Sequence, residues 1–229
     1  MSLTPRIFLM SLPLLFLPLV SLAYNPSINT TTIPYELTSI NSDIQTKYQY
    51  LGELKNDPHM YEFNSSTTTE LTLSLAQLAT NLNSPIPFSL IVVKEKEKGG
   101  GVQEVGRLNQ KNIEWNTISD GKLGLKLKVS NDLSVKVTSG TYRIEVSTPE
   151  NRGKYMLTIG QDDSNHSYFS ELLHIKTINS FLDDSFFSIF RSSYVYYPLG
   201  IITITILFYL VWRKRQRVKT NFNNVQNSN

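Results

Sequence analysis

Residues Gly140–Gly160 read GTYRIEVSTPENRGKYMLTIG. Tyr142, Ile144 and Val146 alternate with polar residues, Thr148–Gly153 forms a turn-rich loop, and Tyr155, Leu157 and Ile159 resume the alternation. Successive side chains of a strand point to opposite faces, so an apolar set at period two marks a half-buried β-strand. The same period recurs upstream. Leu133, Val135 and Val137 form one set, and Leu123, Leu125, Leu127 and Val129 form another, with Asn131-Asp132 expected to turn the chain between them. Leu71, Leu73 and Leu75 alternate with Thr72 and Ser74, and Tyr48, Tyr50, Leu54 and Met60–Phe63 begin the pattern. Phe88–Val93 is a compact apolar run suited to a central strand; Lys94–Gly101 (KEKEKGGG) is a solvated hairpin tip, and Val102–Leu108 is its return strand. About eight short strands at spacings near ten residues predict an all-β fold, an antiparallel β-sandwich of jelly-roll-like form over residues 45–160. Roughly 115 residues are enough to bury a self-sufficient core.

Downstream, Tyr194–Trp212 (YVYYPLGIITITILFYLVW) carries no charge and is followed by Arg213, Lys214, Arg215, Arg217 and Lys219. Nineteen residues at about 1.5 Å each cover about 28 Å, close to the ~30 Å hydrocarbon thickness of a bilayer. The stretch reads as a C-terminal transmembrane α-helix, with Tyr194, Tyr196, Tyr197 and Trp212 at headgroup level. Thr203 and Thr205 are tolerated if their hydroxyls bond back to carbonyls one turn earlier. The five cations fix the topology: the carboxyl end is cytoplasmic and everything before Tyr194 lies outside, as in a single-pass type I protein of the cell membrane.

At the other end, Arg6, the apolar run Ile7–Val20 and the small-residue end Ser21-Leu22-Ala23 read as a signal peptide over residues 1–23, with Pro13 and Pro18 interrupting the run. Retained as an anchor, it would still leave residues 24–193 outside. Residues 24–44 are rich in Asn, Thr and Ser and are expected to be a flexible leader that ends in an edge strand. Residues 161–193 form a juxtamembrane stalk, in which Phe169, Leu172, Leu173, Ile178, Leu182, Phe186 and Ile189 recur at three- and four-residue steps. That spacing predicts an amphipathic helix over 168–189, laid either on the bilayer, with Phe181, Phe186, Phe187 and Phe190 in contact, or on the sandwich. Residues 213–229 form a basic cytoplasmic tail too short to fold.

The net charge of +3 and the pI near 8.9 are topology signals. Arg6 and the five cations after Trp212 lie in segments without acids, leaving 16 Lys and Arg against all 19 Asp and Glu in between. The external part is therefore mildly acidic, which removes the basic surface that nucleic-acid binding needs. With no cysteine, the external fold has no disulfides and holds by packing and backbone pairing.

The closing stretch Gly140–Gly160 resembles the end of the bacterial and archaeal pre-peptidase C-terminal domain, where a Gly-Thr-Tyr strand, a polar loop and a Gly-x-Tyr-x-Leu-Thr strand close a β-sandwich. Tyr50–Leu75 is similar to that domain's opening, through Gly52, an acidic turn near Asp57, then Tyr61 and Phe63. Pro87–Glu95 takes the place of its central strand. The resemblance spans roughly residues 46–160 and implies a non-catalytic external module for binding or assembly. A second resemblance is architectural: GOLD-domain cargo receptors also run signal, sandwich, helical stalk, span and short tail. Their sandwiches normally hold a cysteine pair and their tails carry dilysine signals, and this chain has neither.

Motifs for chemistry are sparse. There is no G-x-S-x-G elbow. Gly101–Gly106 has the gap of a phosphate loop, but Arg107-Leu108 replace its Lys and Ser/Thr. His59, His166 and His174 lack metal-ligand spacing, and Asp162-Asp163 with Asn165 lacks the ligand ladder of a calcium loop. Asp183-Asp184 reads as solvated helix surface, and Lys122, Lys126, Lys128 and Lys136 as the wet face of a sheet. Asn29, Asn64 and Asn165 are candidate glycosylation acceptors, each expected in a loop. The expectation is a binding module with no catalytic residues, cofactor or metal, partnered by the bilayer and by a protein or surface polymer. A secretory cargo receptor, an accessory subunit of a membrane complex contacting its partner through 168–212, and a hydrolase built on carboxylates such as Glu114 and Asp120 are the alternatives.

Overall fold

The computed structural model describes residues 26–31, 33–40, 43–79, 84–96, 100–162, 167–183, 185 and 187–226, with side chains to 216. The expected signal peptide, Asp163, Asn165, His166, Asp184, Phe186 and the side chains of Arg217 and Lys219 lie outside the described residues.

The strands are β1 (Ser27–Asn29), β2 (Leu37–Ser39), β3 (Tyr48–Lys55), β4 (His59–Ser65), β5 (Thr69–Leu78), β6 (Ser89–Glu95), β7 (Val102–Leu108), β8 (Asn116–Asp120), β9 (Leu125–Val129), β10 (Leu133–Val137), β11 (Gly140–Ser147) and β12 (Arg152–Ile159). Two helices follow, α1 (Tyr168–Leu182) and α2 (Ser193–Gln226), with a 3-10 turn at Ser188–Arg191 before the second. The first sheet runs β1-β3-β12-β5-β9-β8 with β10 also on β5, and the second runs β2-β4-β11-β6-β7.

The two sheets form a sandwich because each turns its period-two apolar set inward. Tyr50, Leu54, Leu71, Leu73, Leu75, Tyr155, Leu157 and Ile159 of the first sheet meet Tyr61, Phe63, Leu90, Val92, Tyr142, Ile144 and Val146 of the second. Two crossings between the sheets, β3 to β4 and β11 to β12, are tied together by Asn56 N–H donating to the Asn151 carbonyl at 2.8 Å. Both asparagines sit at positive φ, 75° and 46°, a conformation that Asn adopts more readily than most residues.

Several expectations are corrected. The sheets are mixed, not purely antiparallel: β1 runs parallel to β3 and β2 parallel to β4. Both short strands fall within residues 24–44, expected as a flexible leader ending in one edge strand; the chain there supplies two, covering one edge of each sheet. An unpaired edge offers a row of free donors and acceptors, and short strands blunt it. Asn131-Asp132 does not reverse the chain. Instead β9 and β10 run in one direction along β5, pairing Val129 with Ala76 and Leu133 with Leu73. Ser130 bridges the interruption, its N–H donating to Leu75 O at 2.8 Å and its hydroxyl accepting from Leu75 N at 2.9 Å.

The first sheet is apolar on both faces. Its outer face carries Leu51, Ala76, Leu125, Leu127 and Met156, and α1 covers it with Ile175, Ile178 and Leu182. The stalk helix thus packs on the sandwich, starting at an N-cap in which Ser167 Oγ accepts from Ser170 N–H at 3.3 Å. It ends at Leu182, short of the expected 189. The second helix is longer than expected, running through the cations to Gln226 over most of the tail expected not to fold. Its stretch Ser193–Gln216 is long and apolar enough to cross a membrane, and its apolar side chains are exposed.

Candidate functional site

Among the described residues no three His, Asp or Glu side chains gather at a metal-binding distance. Glu114 precedes β8 and Asp120 ends it, and Asp120 Oδ1 accepts from Leu123 N–H at 2.9 Å. Asp162 bridges through its backbone to Thr46 and Lys47. His174 Nε2 lies 2.5 Å from Gln49 Oε1 beneath α1.

His59 belongs to the sandwich interior. Its Nδ1 is 2.9 Å from the Tyr155 hydroxyl, which is 2.8 Å from the Tyr61 hydroxyl, so a chain of polar groups links the sheets inside an apolar core. Burial holds the imidazole's proton affinity down and pushes the Tyr61 phenol up to about 12 and the Tyr155 phenol well above its usual value. Position 52 must be glycine here, because a Cβ would stand 2.5 Å from the Tyr155 ring.

Of the candidate glycosylation acceptors, Asn29 and Asn64 lie in strands and not in loops. Asn29 closes β1, is 5% exposed, and donates from Nδ2 to Thr38 Oγ1 at 3.1 Å, so a glycan on that nitrogen would displace the strand. Asn64 is on β4 with its side chain exposed, accepting from Thr141 Oγ1 at 2.8 Å. The lysines do not form one wet stripe either. Lys126 and Lys128 lie opposite the leucines that face α1, and Lys122 leaves the sheet altogether.

Lys122 lies in the turn Gly121–Gly124, where the structure concentrates its most specific contacts between sandwich and helices. Gly121 O accepts from Ser193 N–H at 2.9 Å. Lys122 O accepts from the Ser192 hydroxyl, whose oxygen in turn caps α2 by accepting from Tyr194 N–H at 3.2 Å. Lys122 Nζ reaches Glu171 Oε1 of α1 at 2.7 Å and lies 5.7 Å over the Tyr194 ring. Leu123 O accepts from Asn179 Nδ2 at 2.8 Å. Gly124, at φ 71°, has no room for a Cβ, which would stand 2.5 Å from the backbone carbon of Arg191. A four-residue turn therefore holds both helices.

Pro198 sits within α2 and has no N–H to give the Tyr194 carbonyl one turn earlier. The Tyr168 hydroxyl donates to that carbonyl at 2.6 Å, and the two tyrosine rings stack with centroids 5.7 Å apart. The start of α1 thus satisfies the group that the proline orphans. Thr203 and Thr205 donate to Leu199 O and Ile201 O, both at 2.8 Å, so their hydroxyls are satisfied within the helix. Beside the turn, an open cleft of about 660 Å³ is lined by residues that include Leu78, Asp120, Leu125, Lys126, Asp183 and Arg191.

Sequence reading missed this junction. The only signal was the GKLG turn itself, read as part of a strand, because what it binds lies 50 to 70 residues away in the chain.

No protein-family model matches the chain, and no curated protein is significantly similar to it. Among solved structures, the pre-peptidase C-terminal domain of a collagenase from Bacillus anthracis is similar at 13% identity, covering 57% of this chain and 98% of that one, with a TM-score of 0.31. A likeness of that strength assigns neither family nor activity.

Proposed function

We propose that this protein is a single-pass membrane-anchored module that displays a non-catalytic β-sandwich on the outer surface for binding or assembly with a protein or surface polymer. The observation that carries this reading is the junction at Gly121–Gly124. The sandwich grips the first turn of an apolar, exposed helix through Ser192, Ser193 and Tyr194, so it is mounted on the anchor with no free linker between them. A mount of this kind suits a fixed presenting surface. The cations after Trp212 supply the orientation, with the sandwich outside and the carboxyl end in the cytoplasm.

The test is photo-crosslinking in native membranes, with the reactive group placed at exposed positions of the second sheet such as Asn64 and Gln103 and, separately, at Ile204 within α2. A reproducible partner or polymer captured from the sheet positions supports display. Capture from position 204 alone supports the accessory-subunit reading, and turnover of a substrate by the purified full chain overturns the non-catalytic one.

A further inference from the structure

The outer side of α1 is divided. Phe169 (45% exposed) and Leu173 (47%) occupy its first turns, whereas Lys176 and Ser180 are exposed further along. Its apolar end is the end at which Tyr168 stacks on Tyr194, in the first turn of α2. Phe187 (71% exposed) and Phe190, with ring centroids 6.4 Å apart, lie on the segment leading into that same turn. Five large apolar side chains are thus exposed beside the point where the chain enters its apolar helix.

A soluble surface rarely leaves such a cluster bare. Its occupant is indicated by continuity, because the patch merges with the exposed apolar surface of α2 that begins at Ser193. Aromatic rings are also the side chains that partition best into the layer between lipid headgroups and acyl chains. Arg191, between Phe190 and α2, is a cation paired with Asp183 at 3.7 Å.

We propose that Tyr168, Phe169, Leu173, Phe187 and Phe190 form an aromatic skirt seated in the interfacial layer of the outer leaflet. The sandwich then has two membrane attachments, α2 through the bilayer and the skirt upon it, which fix its tilt as well as its distance. This rests on the membrane-anchored reading above.

Because the chain has no cysteine, single-cysteine variants of the full-length protein test the proposal directly. Phe169→Cys, Phe187→Cys and Phe190→Cys, with Val102→Cys, Ile118→Cys and Ile204→Cys for comparison, are labelled with a small fluorophore and reconstituted into phosphatidylcholine vesicles carrying nitroxide-labelled lipid. The expected result is that probes at 169, 187 and 190 are quenched at least several-fold more by shallow nitroxide than probes at 102 and 118, and are shielded from aqueous iodide. Iodide access at 169, 187 and 190 equal to that at 102 and 118 overturns the skirt, and so does shielding from both quenchers, which would mean a protein, such as a second copy, covers the patch. A probe at 204 beyond reach of deep nitroxide lipid would defeat the spanning reading and the skirt with it. Lipid contact at 204 with iodide access at 169, 187 and 190 defeats the skirt alone.

Discussion

At position 124 two independent constraints meet, a backbone at positive φ and a neighbouring backbone with no room for a methyl group. Gly124→Ala is expected to cost about 1–2 kcal/mol for the left-handed conformation alone, plus the displacement of Arg191. Gly121→Ala, three residues earlier, has open space around its Cβ and is expected to stay within about 0.5 kcal/mol of wild type. Thermal unfolding of the two variants of the full chain in micelles checks the contrast; equal stabilities would mean the turn is not held as described. Lys122→Met leaves the Glu171 carboxylate, 7% exposed, without its cation. A loss of about 1–3 kcal/mol is expected, below that of a fully buried pair because the lysine is half exposed. Adding Glu171→Gln should recover part of it, read from a double-mutant cycle.

His59 gives the fold a pH dependence of definite sign. Burial lowers its proton affinity in the folded state, so below about pH 6.5 the unfolded chain takes up a proton that the folded one refuses, and stability falls as pH drops. Above that value the contribution is constant. Urea unfolding at pH 7.5 and 5.5 should show a loss that shrinks in His59→Gln; an unchanged loss in the variant would place its origin elsewhere.

At the level of elements, α1 exists because the first sheet has two faces to bury. Ile175→Ala or Ile178→Ala removes a fully buried side chain from the outer cluster and is expected to cost about 2–4 kcal/mol. Ile175→Asp should go further and release the helix, exposing residues 163–192 to protease while the sandwich core persists. Co-digestion of sandwich and helix in one step would contradict a separate outer layer.

The same elements show what the sequence made legible. Strands such as β10 and β11 declare themselves because one face is wet and the other buried. The second buried face was hidden in consecutive apolar pairs, Tyr50-Leu51, Leu75-Ala76 and Tyr155-Met156, which break the alternation and have meaning only once a covering helix is known. The β8 strand, NTISD, is exposed along most of its length and so carries no apolar period. An edge strand at the end of the leader was expected, but strands only three residues long leave no local mark of their parallel pairing. The apolar helix was legible from composition alone, whereas its grip by the GKLG turn depends on contacts that only folding creates.

For the molecule as a whole, the proposed membrane mount makes orientation the property to measure. The most direct measurement is labelling of intact cells by a membrane-impermeant maleimide, using Gln103→Cys on the second sheet and Asn223→Cys beyond the cations in the otherwise cysteine-free chain. The proposal predicts labelling at 103 without permeabilisation and at 223 only after it. Labelling at 223 on intact cells with protection at 103 would invert the topology and contradict outward display of the sandwich.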